Sequence, residues 1–248
     1  MMAWWFLVPI LALAFGVIAL APLGVQVLSR GVVFIDLALA QAAAAAALWV
    51  SVLLHDSNAL TTQLFAAFGA LLCAGLVAVM AKRWPAQREA LIGLVYVAGA
   101  SLSLLGARLD AHGRERWAEL LAADMLWASW SQVTSLSACA LILALCLFFA
   151  KSSLKRDMIF YPLFAIIASV AVPVLGLFVV FASLISPALW VHRGVLLWQA
   201  ICLAIVAAGI GLSGSWYFDA PSGACVALAL AMLGAMSAFF PKKVSEVS

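Results

Sequence analysis

Most of this chain consists of long apolar runs separated by short polar segments. A helix needs about 20 apolar residues to cross the hydrocarbon core of a bilayer. Seven runs approach or exceed that length, and they cover residues 5–28, 32–54, 61–80, 90–107, 133–150, 195–215 and 225–240. The pattern predicts a membrane-spanning helix at each of these positions.

A further apolar run, residues 158–191, is too long for one ordinary span and barely long enough for two. It is interrupted by Pro162, Pro173, Gly176 and Pro187. Because proline removes a helical hydrogen bond and clashes with the preceding turn, we expect a broken or paired short element. The predicted fold class is an all-α polytopic membrane protein with about 8–9 transmembrane helices, in which residues 1–248 form a single domain.

The composition agrees with this interpretation. Of the 248 residues, 68% are hydrophobic and 9% are charged, and the mean hydropathy is +1.20, whereas soluble domains carry roughly 25% charged residues. The net charge of +3 is small and spread over several loops, which argues against nucleic-acid binding. The five cysteines lie in apolar segments without a C-x-x-C pair, so we interpret them as packing residues.

Basic residues in the polar segments predict the orientation, because Lys and Arg are enriched in cytoplasmic loops. They cluster at Arg30 and at residues 82–89, 151–157, 192–194 and 241–243. If all five clusters lie inside, the run 158–191 crosses twice, the N-terminus lies outside and the C-terminus lies inside. The segment 108–119 then falls outside despite its three arginines. The segment 116–130 is too short and polar to span, and we expect an interfacial or partly buried helix there.

The predicted span 32–54 carries two polar residues, Asp36 and Gln41. Along a continuous helix, Asp36 would lie about 9 Å beyond Arg30, too deep for its short side chain to reach the interface easily. Charged groups at such depth are costly. Asp36 therefore has either a transport function or a structural role that pins two helices together, and Gln41 could likewise serve as interhelical glue.

Helical geometry separates the two polar residues. Leu37 and Gln41 are four positions apart and share a face, whereas Asp36 and Gln41 are five apart and diverge by about 140°. We therefore do not expect Asp36 and Gln41 to hold one small ion from a single helix face. The alanine run 42–47 provides a smooth surface on which a neighbouring helix can approach closely.

Motifs of catalysis or nucleotide binding are missing from the sequence. It contains neither the G-x-x-x-x-G-K-[ST] loop that holds a nucleotide phosphate nor the H-E-x-x-H helix that holds zinc. Its three histidines, His55, His112 and His192, lie far apart in polar segments, where solvated side chains are the expectation. An intramembrane enzyme would also need a nucleophile with a base beside it, and no such pair is evident in the sequence.

Five segments in order along the chain resemble the permease subunits of the zinc and manganese family of ABC importers. The segments are "PLGVQVLSRGVVFIDLALAQAA" and the ranges Glu89–Leu105, Glu119–Ser129, Val174–Arg193 and Phe218–Leu228. They are similar to the family's G-D-A-L-x-H-A, D-x-x-I-G, L-F-G-D-I-L-A-V, L-L-I-x-P-A-A and D-x-P-S-G-A patterns.

The resemblance implies a type II ABC importer-like permease of the inner (plasma) membrane. In such a system two copies of the permease work with a separate ABC ATPase and with an extracytoplasmic metal-binding protein. ATP is consumed by the ATPase, so the permease would bind no cofactor and catalyse no reaction. The implied cargo is a divalent metal ion, zinc or manganese, or a small metal complex.

The implied metal site departs from the family pattern. In the G-D-A-L-x-H-A motif the aspartate and the histidine contact the metal, and these positions fall on Leu37 and Gln41 in this sequence. Asp36 falls on the glycine of the motif, on another face. The hypothesis is a transport pathway along helix 32–54, in which Asp36 supplies negative charge as the candidate metal ligand, Gln41 presents amide dipoles, and Leu37 occupies the aspartate position.

The cytoplasmic segment "AKSSLKRDMIFYP", Ala150–Pro162, corresponds to the family's coupling element for the ATPase. Because it is short, charged and bounded by spans, we predict ATPase contacts at Lys151, Lys155, Arg156 and Asp157. The alternative is that these residues are solvated anchors.

The sequence also allows a second class of function, that of a proton-coupled secondary transporter. In a proton-coupled secondary transporter, Asp36 and Asp124 would titrate protons within the membrane. Transport that survives ATP depletion but collapses with the proton gradient would identify such a protein.

Overall fold

The computed structural model describes residues 4–54, 58–109, 115, 118, 121–149 and 156–240. Within these residues the chain is built from helices and contains no strand. The long helices are α1 (Trp4–Arg30), α2 (Ile35–Leu53), α3 (Ala59–Arg83), α4 (Arg88–Leu109), α5 (Trp130–Phe149), α6 (Asp157–Leu175), α7 (Leu177–His192), α8 (Leu197–Phe218) and α9 (Ser222–Met236).

Eight helices in the described part of the chain are long and apolar enough to cross a membrane, and α7 is a shorter apolar helix of 16 residues. A helix satisfies its backbone hydrogen bonds internally, which the water-free bilayer core requires. The chain is therefore a multi-pass membrane protein. The predicted all-α fold class is confirmed.

The apolar run 158–191 forms two helices, α6 and α7, as its length and prolines predicted. The break falls at Gly176, whose φ of 78° lies in a region that glycine enters without steric cost. The helical pattern resumes at once, because the N–H of Val180 donates to the carbonyl of Gly176 at 3.1 Å. The prolines lie inside the two helices, so the break between them is set by glycine.

The interfacial helix predicted over residues 116–130 is only partly correct. Residues 116, 117, 119 and 120 lie outside the described part of the chain, and Leu121 is helical. Beyond it, the helix gives way to one 3₁₀ turn, Met125–Trp127, before α5 begins. The Asp124 side chain accepts a hydrogen bond from the N–H of Leu126 at 3.3 Å, and such local bonding competes with a continuous helix.

The described residues group into two compact units. The first contains α1, α7, α8, α9 and most of α5, from residues in Met1–Arg30, Ala122–Ala144 and Val174–Ser248. The second contains α2, α3, α4 and most of α6, from residues in Gly31–Leu121 and Leu145–Pro173. The single permease domain expected over 1–248 stays a prediction.

In the first unit, α7 packs against α1, α8 and α9. Gly24 of α1 lies directly against the backbone carbonyl of Leu184, so a Cβ at that position would overlap this oxygen. The indole N–H of Trp190 donates to the carbonyl of Leu233 at 2.9 Å, which joins α7 to α9. Helix packing in this unit therefore uses close backbone approach together with a part-buried interhelical hydrogen bond.

In the second unit, α2 packs against α3 and α4. A Cβ on Gly69 of α3 would lie 2.7 Å from the Cβ of Ala46 and 2.8 Å from the carbonyl oxygen of Ala42, so the alanine run does allow a close approach. Helices α2 and α4 run parallel, since their contacts advance together: Val33 with Glu89, Gln41 with Gly99, and Leu48 with Gly106. The start of α2 and the start of α4 therefore lie at the same end of this unit.

Gly24→Ala should destabilise the protein, because the new methyl group would overlap the Leu184 carbonyl and force α1 away from α7. Overpacking of this kind costs about 1–3 kcal/mol, which thermal unfolding of the purified protein in detergent would show as a melting point lower by several degrees. The matched control is Gly75→Ala in α3, where no atom lies within 4 Å of the new methyl group. An unchanged melting point for Gly24→Ala would contradict this account of the packing.

Candidate functional site

A tight turn separates α1 from α2 and sets the position of Asp36. Helix α1 ends at Arg30, Gly31 has a φ of 60°, and α2 begins at Ile35. Asp36 is therefore the second residue of α2 and lies in its first turn. The depth of about 9 Å beyond Arg30 assumed one continuous helix, and that assumption is wrong because the turn at Gly31 breaks the helix.

The Asp36 carboxylate is buried, with 1% of the residue exposed. No side-chain donor among the described residues meets its oxygens, and the backbone N–H groups of Asp36 and Leu37 favour the carboxylate. The first turn of a helix carries partial positive charge from its free N–H groups, which favours a carboxylate there. The electrostatics of the helix therefore suit an anion, although an unpartnered carboxylate still costs free energy when it is buried.

Gln41 lies on the side of α2 that packs against α4. Only 3% of this residue is exposed, and its Cβ would lie 3.1 Å from a Cβ on Gly99. The Ser103 hydroxyl lies 3.1 Å from the carbonyl of Gln41 and 2.9 Å from that of Gly99, so it bonds α4 to α2. The side-chain Oε1 of Gln41 is buried without a donor within the described chain.

Asp36 and Gln41 leave α2 on different faces, because they are displaced from one another by about 140° around the helix. Leu37, one turn before Gln41 on the same side, is half-buried. The structure thus separates Asp36 from the pair Leu37 and Gln41, as the spacing predicted. Whether any of the three contacts cargo stays a prediction.

No group of three or more His, Cys, Asp or Glu side chains that could hold a metal ion occurs among the described residues. The donors that α2 does bury are the carboxylate oxygens of Asp36 and the amide oxygen of Gln41. Oxygen ligands of this kind suit manganese and other hard cations, whereas zinc prefers imidazole and thiolate. These two donors lie on different faces of α2, so they do not form one site.

Asp124, the second acid of the proton-coupling hypothesis, is exposed and hydrogen-bonded. Its Oδ1 accepts a hydrogen bond from the Ser222 hydroxyl at 2.7 Å, and the same hydroxyl accepts one from the N–H of Met125 at 2.8 Å. These bonds hold the 3₁₀ turn against the start of α9. The geometry is that of a structural clasp, so nothing in the surroundings of Asp124 favours a buried proton carrier.

The predicted ATPase contacts are only partly described. Arg156 and Asp157 are exposed at the start of α6, and the carbonyl of Arg156 accepts the N–H groups of Ile159 and Phe160 in the first turn. Lys151 and Lys155 lie outside the described residues, as do His55 and His112. The role of this segment in coupling stays a prediction.

Two buried serines on α7 and one acid on α4 were not singled out in the sequence. Ser183 and Ser186 are 0% and 2% exposed, and neither hydroxyl has a hydrogen-bond partner in the described chain. Glu89, at the start of α4, accepts a hydrogen bond from the N–H of Val33 at 2.8 Å. The sequence does carry a signal for the two serines, since they are polar residues within an apolar run. It carries none for Glu89, because a hydrogen bond to a residue far away in the chain leaves no local pattern.

Comparison with known proteins gives one informative result. No protein-family model matches the chain, and no curated protein matches it. Among solved structures, two chains match, and one of them is from PsaBC of Streptococcus pneumoniae in complex with Fab. That chain is 17% identical with a TM-score of 0.73, and the alignment covers 98% of this chain and 94% of that chain. At this identity the similarity establishes a shared fold.

Asp36→Leu should raise the thermal stability of the protein, because it removes a buried carboxylate that has no hydrogen-bond partner. Relief of an unsatisfied buried polar group is worth about 1–3 kcal/mol, and we expect a melting point several degrees higher in detergent. Asp219→Asn, at an exposed acid beyond α8, serves as the control and should change nothing. A clear loss of stability in Asp36→Leu would show that the carboxylate holds the helices together.

Proposed function

We propose that this chain is the transmembrane permease subunit of an ATP-driven ABC importer in the inner (plasma) membrane. Its cargo is a divalent metal ion, manganese or zinc, or a small metal complex. Two copies of the chain work with a separate ABC ATPase and with an extracytoplasmic metal-binding protein. The permease itself catalyses no reaction and binds no cofactor, because ATP is hydrolysed on the partner subunit.

The observation that carries this proposal is the similarity of nearly the whole chain to one chain of PsaBC. The five segments that resemble permease subunits of the zinc and manganese family of ABC importers lead to the same assignment. Agreement over 98% of this chain, at a TM-score of 0.73, extends through both compact units. The shared architecture supports a shared transport mechanism, and it favours the ATP-driven importer over a proton-coupled transporter.

The chemistry of α2 supports a cation as cargo. The Asp36 carboxylate makes no side-chain hydrogen bond within the described chain, and the start of a helix is a position that favours negative charge. Cations such as manganese take several oxygen ligands, more than one Asp36 provides. A second copy of the chain and waters carried by the ion would complete the set.

A weak site is compatible with transport. Conduction requires binding that is favourable enough for entry and weak enough for release, and an importer receives its cargo already selected by the external binding protein. The amide of Gln41, in the position where the family has histidine, lowers the affinity that an imidazole would give for zinc. The oxygen donors of α2 therefore favour manganese among the proposed metals.

The proposal is tested by reconstituting the permease in proteoliposomes with its partner ABC ATPase and the external binding protein. We expect uptake of Mn²⁺ that requires ATP and the external binding protein. Uptake should persist when an ionophore collapses the proton gradient. Uptake that survives without ATP and stops with the ionophore would overturn the importer and identify a proton-coupled transporter.

Asp36→Asn should lower Mn²⁺ uptake in this assay by roughly tenfold or more, since a loss of about 1.4 kcal/mol in binding corresponds to a factor of ten. The amide keeps the size of the side chain and removes its charge. Asp219→Asn is the matched control and should transport at the wild-type rate. Wild-type uptake in Asp36→Asn would make the carboxylate structural.

Arg156→Ala should weaken coupling to the ATPase without affecting the fold. The side chain is exposed, so its removal leaves the melting point unchanged, while co-purification of the ATPase and metal-stimulated ATP hydrolysis should fall by several fold. Lys82→Ala, at an exposed basic residue in the last turn of α3, is the control. Equal ATPase recovery with both variants would contradict the predicted contact.

A further inference from the structure

The start of α2 has no cap of its own. Helices leave their first N–H groups without intrahelical acceptors, and side chains commonly fill that role. Phe34 occupies the N-cap position and makes no side-chain hydrogen bond. The turn before it depends on Gly31, which has a φ of 60°. The segment that leads into Asp36 therefore needs support from elsewhere in the second unit.

Glu89, in the first turn of α4, supplies that support. Its Oε1 accepts a hydrogen bond from the N–H of Val33 at 2.8 Å, three residues before Asp36. The preceding residue, Arg88, packs over Gly31, where a Cβ would lie 2.7 Å from the guanidinium Nη2. Two consecutive residues of α4 thus meet the turn 31–34: Arg88 lies against Gly31, and Glu89 accepts the N–H of Val33.

The charge of Glu89 also bears on the site. This carboxylate lies at the start of α2, where the partial positive charge of the helix favours an anion. Its second oxygen, Oε2, is buried and makes no hydrogen bond within the described chain. One oxygen therefore holds the Val33 N–H in place, and a hydrogen bond to an ionised acceptor is stronger than a neutral one.

We propose that Glu89 is a positioning residue for Asp36: its hydrogen bond to Val33 fixes the first turn of α2 and with it the buried carboxylate that meets the cargo. That Glu89 fixes the first turn of α2 rests on the structure alone. That this turn positions a cargo-binding carboxylate rests on the proposed function. Glu89 does not touch the cargo in this account. Its effect on transport passes through the position of Asp36.

Hydrogen exchange tests the structural half without any assumption about transport. In the purified permease, Glu89→Ala should speed amide exchange in peptides that cover residues 31–38 by roughly tenfold, since the hydrogen bond that holds the Val33 N–H is lost. Glu89→Gln keeps an acceptor and should exchange at nearly the wild-type rate. Gln87→Ala, an exposed neighbour, is the control. Unchanged exchange in Glu89→Ala would overturn the inference.

Metal stimulation of the assembled transporter tests the functional half. Glu89→Ala should raise the Mn²⁺ concentration for half-maximal ATPase stimulation about fivefold or more, with a maximal rate close to that of the wild type, and Glu89→Gln should restore most of the affinity. Faster exchange with an unshifted Mn²⁺ curve would overturn the positioning role. A wild-type complex that no metal stimulates would contradict the proposed function, while the exchange result would still decide whether Glu89 holds the turn.

Discussion

Helices inside a bilayer gain little by burying apolar side chains against one another, because the lipid tails are equally apolar. Their association depends on close van der Waals contact, and small residues make such contact possible. The described structure follows this constraint in both compact units. In one, Gly24 places α1 against the backbone of α7. In the other, Gly69 and Gly99 bring α3 and α4 against α2.

This mode of packing divides α2 into faces with different roles. The alanine run and Gln41 lie against neighbouring glycines, and the hydroxyl of Ser103 adds a hydrogen bond to the α2 backbone. Asp36 lies on another face, where its carboxylate is buried without a partner. A helix that is anchored on one side can hold an uncompensated charge on the other, because the packed side supplies the stability that the charge costs. That division is the physical basis on which we assign Asp36 to the pathway.

Other acids outside the helix interiors behave differently. Glu89 accepts the N–H of Val33, and Asp124 accepts the hydroxyl of Ser222. Each fixes a non-helical segment against the first turn of a helix in its own unit. Hydrogen-bonded acids of this kind have an evident structural role, whereas the carboxylate of Asp36 has none within the described chain. The contrast separates acids with a structural role from the residue proposed to bind cargo.

The sequence by itself determined the helices and their approximate ends, since a bilayer-length apolar run has no other stable backbone arrangement. It also determined that 158–191 divides and that Asp36 and Gln41 point in different directions, because helical periodicity is local. It placed Asp36 too deep, because the turn at Gly31 was not evident. It also extended a helix through residues 122–124, where the hydrogen bonds of Asp124 hold a non-helical segment. Only the tertiary structure decided which buried polar groups are satisfied, such as the hydroxyl of Ser103, and which meet no side-chain partner within the described chain, such as Asp36 and Ser183. Hydrogen bonds between residues more than fifty positions apart depend on how helices pack, and local sequence patterns carry no record of that.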